Sequence, residues 1–357
     1  MKFLNYSYFI EKNLNEEDLS KKEALELFNL PLPILGKIAN DIRRERCGEL
    51  VTFVVGTNIN FTNICISKCK FCAFYARDNG YVLDKEQILE KVDRAVKNGA
   101  TQILMQGGMN PDLGIEWFED LFRSVKERYP NVHIHSLSAP EIYFLSKREK
   151  VGIKEVIERL RNAGLDSIPG GGAEILVDRI RRVLSPRKVD SNGWLKVMEI
   201  AHKLGIKTTA TMMFGHIETN EDIVDHLFKI RDLQSKTKGF TAFIPWTFQP
   251  KNTELYDLIK EQAPPLRYLQ VLAISRIVLH NFRNIQTSWL TQGIDIALLG
   301  LFFGANDFGD LMLEENVIKA TGKEFKPLEI ERVVRAIKST GRAVAQRDTY
   351  YRILRYL

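Results

Sequence analysis

Cysteine is scarce in this chain, which has four cysteines among 357 residues. So low a count excludes the disulfide framework that stabilises small secreted proteins. No apolar run approaches the roughly 18 residues that a membrane-spanning helix needs, so we expect no such helix. The N-terminal segment turns polar at Glu11 and contains no small-residue cleavage site, so a signal peptide is not expected either. These absences together favour a cytoplasmic location.

An excess of charge of one sign is also lacking. Lys and Arg number 51 against 45 Asp and Glu, which gives a net charge of +6. The surplus is spread along the chain without a basic arm or stripe, so we expect no nucleic-acid partner. Apolar residues, by contrast, are plentiful at 45% of the chain, which is enough for a packed core. The composition therefore favours a globular protein.

Short β-rich runs alternate with amphipathic helical stretches along most of the chain. The run VTFVVGTN at 51–58 predicts the first strand, and a helix begins at Asp84 with a capping box and ends at Gly99. Seven or eight such units predict a TIM-type (β/α) barrel rather than an open sheet. We expect an N-terminal helical layer at 1–50, the barrel at 51–325, and a C-terminal helix and tail at 326–357 packed on the barrel.

Polar and glycine-rich clusters follow the predicted strands. In a (β/α) barrel, the loops at the carboxyl ends of the strands carry the chemistry. The clusters in those loops read QGGMNP, HSLSAPE, PGGGAE, FGHIE and PWTFQP. The sequence therefore predicts an active site at this end of the barrel.

Three of the four cysteines lie close together, as Cys65, Cys69 and Cys72 in a C-x3-C-x2-C spacing. Thiols this close in a cytoplasmic chain indicate a metal site. Structural zinc takes four ligands, usually as two pairs. The one remaining cysteine, Cys47, lies apart in a charged helical context, so a second cysteine pair is missing and zinc is disfavoured. Three ligands on a four-iron cluster would leave one iron open. We favour an iron–sulfur cluster, with zinc or three unrelated buried cysteines as alternatives and Cys47 as a lone thiol.

The segment NICISKCKFCAFYA resembles the cluster loop of the radical S-adenosylmethionine enzymes, with Phe71 as the aromatic residue of the motif. The resemblance implies a [4Fe-4S] cluster on the three clustered cysteines, with S-adenosylmethionine bound to the open iron and cleaved to a 5′-deoxyadenosyl radical. It implies that the backbone around Phe71 contacts the adenine and that Gly107 and Gly108 bind the methionine amino group through their carbonyls. Met109 stands where the family often has Glu. An external low-potential electron donor of flavodoxin or ferredoxin type is implied as well.

The resemblance extends over nearly the whole chain to one subgroup, which contains the futalosine-pathway menaquinone enzymes and the deazaflavin (F0) synthases. The segments that carry it are CKFCAFYA, PGGGAEIL, TMMFGHIE and EENVI. Two further segments, GFTAFIPWTFQP at 239–250 and QTSWLTQG at 286–293, resemble the dehypoxanthine futalosine cyclases in particular. Aminofutalosine synthase and an F0-synthase subunit are the alternatives within the subgroup.

The cyclase resemblance implies a reaction in menaquinone biosynthesis. A hydrogen is abstracted from the ribose of dehypoxanthine futalosine, and the sugar radical adds to the benzoate ring and closes a spiro ring. Loss of an electron and a proton then restores aromaticity. That last step needs a base and an electron acceptor, neither of which the sequence identifies.

Other polar residues in the strand-end loops are candidates for ligand binding. Glu174 and Ser136 are placed to contact S-adenosylmethionine. Alternatively, Glu174 is a solvated or capping carboxylate at the start of the next helix, and the Ser136 hydroxyl bonds to the local backbone in a turn. Trp246, Thr247 and Gln249 are candidates for substrate binding in the cyclase-like loop.

Two further features near these loops have a functional and a structural interpretation. His216 in FGHIE is a candidate for substrate contact, with a structural histidine as its alternative. Arg179, Arg181 and Arg182 follow PGGGAE, and we expect them to form a solvated helix face rather than a carboxylate clamp.

Overall fold

A closed ring of parallel strands forms the centre of the molecule. The computed structural model describes residues 6–357. One sheet has six parallel strands in chain order, from Gly56–Ile59 to Phe240–Thr247, and a second sheet of four strands places Leu50–Val54 between Ala343–Arg347 and Asp307–Asp310. Single bridges from Phe243 to Ile285 and from Gln286 to Asp307 join the last strand of the first sheet to the second sheet, and Leu50–Val54 continues through one residue into Gly56–Ile59. The predicted TIM-type α/β fold is thus confirmed.

The strands are short and mostly buried. Their bounds are β1 Leu50–Val54, β2 Gly56–Ile59, β3 Gln102–Met105, β4 His133–Ser136, β5 Ser167–Ile168, β6 Lys207–Phe214, β7 Phe240–Thr247, β8 Asp307–Asp310, β9 Ala343–Arg347 and β10 Ile353–Tyr356. Between β7 and β8, Ile285 and Gln286 pair only through the two single bridges.

Helices alternate with these strands and cover the barrel. Their bounds are α1 Tyr6–Leu14, α2 Lys21–Glu26, α3 Leu32–Cys47, α4 Lys85–Lys97, α5 Ile115–Arg128, α6 Ala139–Glu149, α7 Ile153–Ala163, α8 Asp178–Leu184, α9 Ser191–Lys203, α10 Asn220–Thr237, α11 Pro265–Val278, α12 Trp289–Gln292, α13 Ile294–Gly300 and α14 Ile330–Lys338. Short 3-10 turns lie at Leu27–Asn29 and Lys319–Thr321.

The start of α4 agrees with its sequence signature. Asp84 accepts a hydrogen bond from the backbone of Gln87, whose side chain accepts one from the backbone of Asp84. This reciprocal pair is the predicted capping box. Ile88, Leu89 and Val92 on the same helix are buried against the barrel. The position of the helix therefore follows from local sequence alone.

The N-terminal segment folds into three helices. Helix α3 packs on α11, and α2 packs on α10. The first five residues of the predicted 1–50 layer lie outside the described residues. Among residues 6–357, no helix combines the length and the hydropathy that a membrane crossing requires.

The C-terminal tail contributes to the barrel itself. Strand β9 pairs in parallel with β1, and β10 returns antiparallel to β9. Arg347 forms a bidentate ion pair with the fully buried Asp307, at 2.6 and 2.8 Å. Thr349 donates a hydrogen bond to the side-chain oxygen of Gln102, at 2.7 Å. The tail thereby closes the amino-terminal end of the barrel, and the division into three segments at residues 50 and 325 stays a prediction.

Candidate active site

A small cavity of about 110 Å³ lies at the carboxyl ends of the first strands. The residues that line it come from the loops after β2, β3 and β4 and from the segment after α8: Asn63, Cys65, Cys69, Phe71, Cys72, Phe74, Tyr75, Gly107, Gly108, Met109, Ser138, Pro140, Glu141 and Lys188. The structure therefore brings together the three clustered cysteines, Phe71 and the glycine pair. Cys47 is not among these residues, and its thiol donates to the carbonyl of Arg283 at 3.2 Å.

Backbone hydrogen bonds hold the cysteine loop against the glycine loop. The backbone N–H of Ile66 donates to the carbonyl of Met109 at 3.1 Å, and the N–H of Met109 points to the Cys65 sulfur at 3.4 Å. The Cys72 N–H donates to the carbonyl of Cys69 at 3.0 Å. The two loops thus form one unit, in which the thiols have fixed directions.

Burial alters the acidity of the thiols in this loop. It raises the pKa of Cys72 to about 11, and it also raises the pKa of Cys69. A thiol must lose its proton before it can bind a metal. Binding of iron at this loop is therefore expected to release protons.

Close packing explains why glycine occupies positions 107 and 108. A Cβ atom on Gly108 would lie 2.1 Å from the carbonyl oxygen of Ile64, and one on Gly107 would lie 2.6 Å from the Phe61 ring. No side chain fits at these separations. The backbone of both glycines therefore borders the cavity directly, as close approach to a bound ligand requires.

Glu141 is a residue of this site that the sequence reasoning missed. Its carboxylate accepts hydrogen bonds from the backbone and the hydroxyl of Ser138, at 2.7 and 2.5 Å, and from the backbone N–H of Gly107 at 3.1 Å. Burial raises its pKa. Glu141 thus connects the capping box of α6 to the glycine loop, and the S-x-x-E pattern at 138–141 was the available signal.

Lys188 is the second missed residue, and it links Glu174 to the cavity. Its ammonium lies 2.9 Å from one Glu174 carboxylate oxygen and 5.2 Å from the centre of the Phe71 ring. The other Glu174 oxygen lies 3.6 Å from Arg181 and is buried without a hydrogen-bond partner. Glu174 has a positive φ of 41° and does not itself line the cavity. Glu174 therefore contacts the cavity only through Lys188, and one of its carboxylate oxygens accepts no hydrogen bond.

The expectation of a solvated arginine face after PGGGAE is wrong for Arg181. Only 3% of this residue is exposed, and its guanidinium donates to the carbonyls of Gly172 and Val189. The reason is that α8 turns this side chain inward, where it satisfies carbonyls of the glycine-rich loop. Arg179 does lie at the surface and pairs with Asp222.

The donor set of the small cavity fits an iron–sulfur cluster. Within residues 6–357, no group of three or more His, Cys, Asp or Glu side chains is arranged to hold a single metal ion. The three thiols border one cavity without converging on one point. A four-iron cluster offers each thiolate an iron of its own, so such a spacing suits it. Gly107 and Gly108 line the same cavity.

A larger cavity of about 280 Å³ occupies the barrel interior. Its lining includes Trp246 at the end of β7, residues 286–291, Gly170 and Gly171, and Arg347, Thr349 and Tyr351 from the tail. Gln106 lines the larger cavity and its sequence neighbour Gly107 lines the small one, so the two cavities are adjacent at this point. The tail residues were not expected at this position, because nothing local in 347–351 marks them.

Four candidate residues lie close to the cavities but do not line them. Ser136 donates its hydroxyl to the carbonyl of Met105 at 2.8 Å. The Thr247 hydroxyl accepts from the side-chain amides of Gln262 and Gln292, at 2.6 and 2.5 Å, and Gln249 donates to the Thr247 carbonyl at 3.0 Å.

His216 also has its polar atoms occupied by its own turn. Its Nδ1 lies 2.7 Å from the backbone N–H of Ile217, and its Nε2 lies 3.1 Å from the carbonyl of Met213. In this arrangement, Ser136, Thr247, Gln249 and His216 support the cavity walls, and Trp246 is the member of the predicted substrate set that faces the large cavity.

Two family models match adjacent parts of the chain. The Radical SAM superfamily model matches residues 59–230, and the CofH/MqnC C-terminal region model matches residues 237–356. The cyclic dehypoxanthine futalosine synthase of Streptomyces coelicolor is 42% identical over 93% of this chain and 85% of its own length. That of Halalkalibacterium halodurans is 42% identical over 97% and 94%, respectively.

A different enzyme is similar to nearly the same degree. The 5-amino-6-(D-ribitylamino)uracil–L-tyrosine 4-hydroxyphenyl transferase of Methanocaldococcus jannaschii is 41% identical over 95% of this chain and 98% of its own. Among solved structures, a methylornithine synthase has a TM-score of 0.74 at 20% identity, covering 94% of this chain and 96% of that one. The FeFe-hydrogenase maturase HydG from Carboxydothermus hydrogenoformans has a TM-score of 0.74 at 17% identity, covering 97% and 80%. These structures share the fold.

Proposed function

The chain belongs to the radical S-adenosylmethionine enzymes of the futalosine pathway family, which use a [4Fe-4S] cluster and S-adenosylmethionine, and on this premise we propose that it is a cyclase. Its substrate is dehypoxanthine futalosine, and its product is cyclic dehypoxanthine futalosine. The observation that carries the proposal is the lining of the large cavity. Trp246 and residues 286–291 line it together, and they come from the two segments that resemble the cyclases.

The small cavity is the site for the cofactors. Cys65, Cys69 and Cys72 would hold the cluster, and Gly107 and Gly108 would hold the methionine end of S-adenosylmethionine. Bound there, the cofactors would supply the radical chemistry by which one hydrogen atom leaves the sugar of the substrate. The protein excludes water and fixes which hydrogen is within reach. Phe71, with the Lys188 ammonium over its ring, borders the space for the adenine.

The large cavity holds the sugar and the benzoate in contact during ring closure. Trp246 offers an aromatic face for the benzoate ring. The Thr247 hydroxyl, held by the amides of Gln262 and Gln292, fixes the backbone on which Trp246 stands. The guanidinium of Arg347, held in place by its ion pair with Asp307, offers hydrogen-bond donors at the cavity floor.

An external electron donor of flavodoxin or ferredoxin type is part of the proposal, because the cluster must be reduced before each cleavage. The cysteine loop is the region where such a donor would approach. Ile66 in that loop is 42% exposed, although the neighbouring Cys69 is buried. A donor could therefore come close to the cluster without opening the barrel.

The experiment that tests the proposal is a substrate comparison. The anaerobically reconstituted and reduced enzyme is given S-adenosylmethionine with either dehypoxanthine futalosine or the pair of tyrosine and 5-amino-6-(D-ribitylamino)uracil. The cyclase proposal expects a product that is lighter than dehypoxanthine futalosine by two hydrogens. Product from the tyrosine pair alone would support the second candidate, the hydroxyphenyl transferase, which the 41% identity to the archaeal relative favours. Turnover of the enolpyruvyl-benzoate substrate of aminofutalosine synthase would identify that enzyme instead.

A further inference from the structure

Two histidines and a serine form a continuous hydrogen-bonded chain through the barrel wall. His133 and His135 lie two residues apart on β4 and therefore share a face of the strand. Nε2 of His133 and Nδ1 of His135 each lie 2.6 Å from the hydroxyl oxygen of Ser167 on β5. Neither histidine was assigned a function from the sequence.

The two ends of this hydrogen-bonded series, His135 and His133, lie in different surroundings. His135 is 7% exposed and lines the large cavity, and because its Nδ1 is occupied by Ser167, Nε2 is the nitrogen left for the cavity. His133 is half-buried at the amino end of β4, where its ring contacts the exposed Tyr350 edge-on at 4.8 Å. The chain thus leads from the cavity to the end of the barrel opposite the cysteines.

The hydroxyl of Ser167 makes the two hydrogen bonds point in the same direction along the series. A hydroxyl carries one proton, so it donates to one imidazole and accepts an N–H from the other. The two rings must therefore present opposite protonation states to the serine. Moving each proton by one position along the chain reverses the arrangement and transfers a net proton from one end to the other.

We propose that His135, Ser167 and His133 form a proton relay from the large cavity to the amino-terminal face of the barrel. The inference rests on the proposed function, in which a proton leaves the benzoate ring within the large cavity. The ring C–H bond breaks, its electron pair returns to the ring, and the proton passes to Nε2 of His135. Nδ1 of His135 then gives a proton to Ser167, which gives one to His133, and the second nitrogen of His133 releases one to water.

The electron of the same step goes elsewhere. Once the proton has left, the unpaired electron passes from the ring to a one-electron oxidant of the iron–sulfur class. Burial lowers the pKa of His135 to about 3 and that of His133 to about 4, so neither ring holds a positive charge near neutral pH. Because both imidazoles are neutral at rest, a proton that enters at one ring is passed on and does not remain as a stable imidazolium. Asp166, Lys126, Asp348 and Arg352 are the charged groups that act on His133, and Arg347 acts on His135.

The relay makes a prediction that does not depend on turnover. Nitrogen-15 NMR of the histidines in the oxidised, reconstituted enzyme is expected to find one serine-facing nitrogen protonated and the other unprotonated. Ser167→Ala should remove this difference. If both nitrogens are protonated or both are bare in the wild type, the hydrogen-bonded chain does not exist and the relay is wrong.

The kinetic test uses two variants and a matched control. Ser167→Ala breaks the middle of the relay, and His133→Phe removes its outer end while the ring stays packed on Tyr350. In both, the ratio of cyclic product to deoxyadenosine is expected to fall by roughly a hundredfold with KM unchanged, as loss of a proton-transfer group does. Ser275→Ala is the control, because it removes a buried hydroxyl that bonds only to its own helix. It should keep the wild-type ratio.

The outcomes separate the relay from the proposed function. If the wild type forms cyclic product and both variants keep its ratio, the relay is overturned and the cyclase assignment stands. If the wild type forms no cyclic product, the cyclase assignment fails, and the NMR comparison still decides whether the directional chain exists.

Discussion

The two cavities of the barrel are assembled in different ways. Half of the residues that line the small cavity come from one loop, in which Cys65, Cys69 and Cys72 lie within eight residues, and the glycine loop after the next strand supplies three more. The large cavity takes residues from β1 through to the C-terminal tail, and no short segment supplies most of its lining. The proposed cofactor site is therefore largely local in sequence, while the proposed substrate site depends on the complete fold.

The largest expected effect lies in the small cavity. Replacing any one of Cys65, Cys69 or Cys72 by Ala should abolish bound iron and S-adenosylmethionine cleavage, because each thiolate would hold its own iron. Iron content and deoxyadenosine formation measure this. Cys47→Ala is the matched control and should change neither. Loss of the cluster in the Cys47 variant, with retention in the Cys69 variant, would mean that the ligands are assigned to the wrong residues.

Gly108→Ala should be almost as damaging without removing a ligand. The new methyl group would lie 2.1 Å from the carbonyl oxygen of Ile64 and would displace the cysteine loop. A displacement of about 1 Å can cost roughly a hundredfold in rate, and we expect a loss of that size in S-adenosylmethionine cleavage. Gly152→Ala is the control, since a Cβ atom there meets nothing within 4 Å. Equal cleavage in both variants would show that the glycine loop does not fix the cofactor site.

In the large cavity, truncation should uncouple the reaction rather than stop it. Trp246→Ala leaves the cysteine loop intact, so deoxyadenosine should still form. The cyclic product should fall by roughly a hundredfold, because the benzoate ring loses the surface that positions it. Gln249→Ala should have a weaker effect of the same kind, since Gln249 supports Thr247 from behind. A parallel loss of deoxyadenosine and cyclic product in Trp246→Ala would contradict the division between the cavities.

The smallest effect is expected at Glu174, behind the cofactor site. Glu174→Gln breaks the buried ion pair with Lys188 and should weaken S-adenosylmethionine binding about tenfold, with the iron content unchanged. Glu199→Gln, which breaks an exposed ion pair with Lys203, is the control and should have no effect on binding. Unchanged affinity in the Glu174 variant would assign this carboxylate a purely structural role.

The same contrast explains what could be predicted from the sequence. The capping box at Asp84 and the spacing of the cysteines act between near neighbours, so local patterns were sufficient. Lys188 could not be predicted, because it reaches the cysteines only after α8 has packed against their loop. Arg347 and Thr349 reach the cavity only through the pairing of β9 with β1. Thr247 is the last residue of β7, where alternation along the strand turns its side chain away from the cavity that Trp246 lines, and Gln249, beyond the strand, is hydrogen-bonded to the Thr247 carbonyl.

The most direct test of the account follows one hydrogen atom. Dehypoxanthine futalosine with deuterium on its ribose is supplied to the reduced enzyme, and the deoxyadenosine and the nucleoside product are analysed by mass. We expect deuterium in deoxyadenosine in proportion to the cyclic product formed. Unlabelled deoxyadenosine without any cyclic product would contradict the account, because it would mean that the large cavity does not hold this sugar against the radical.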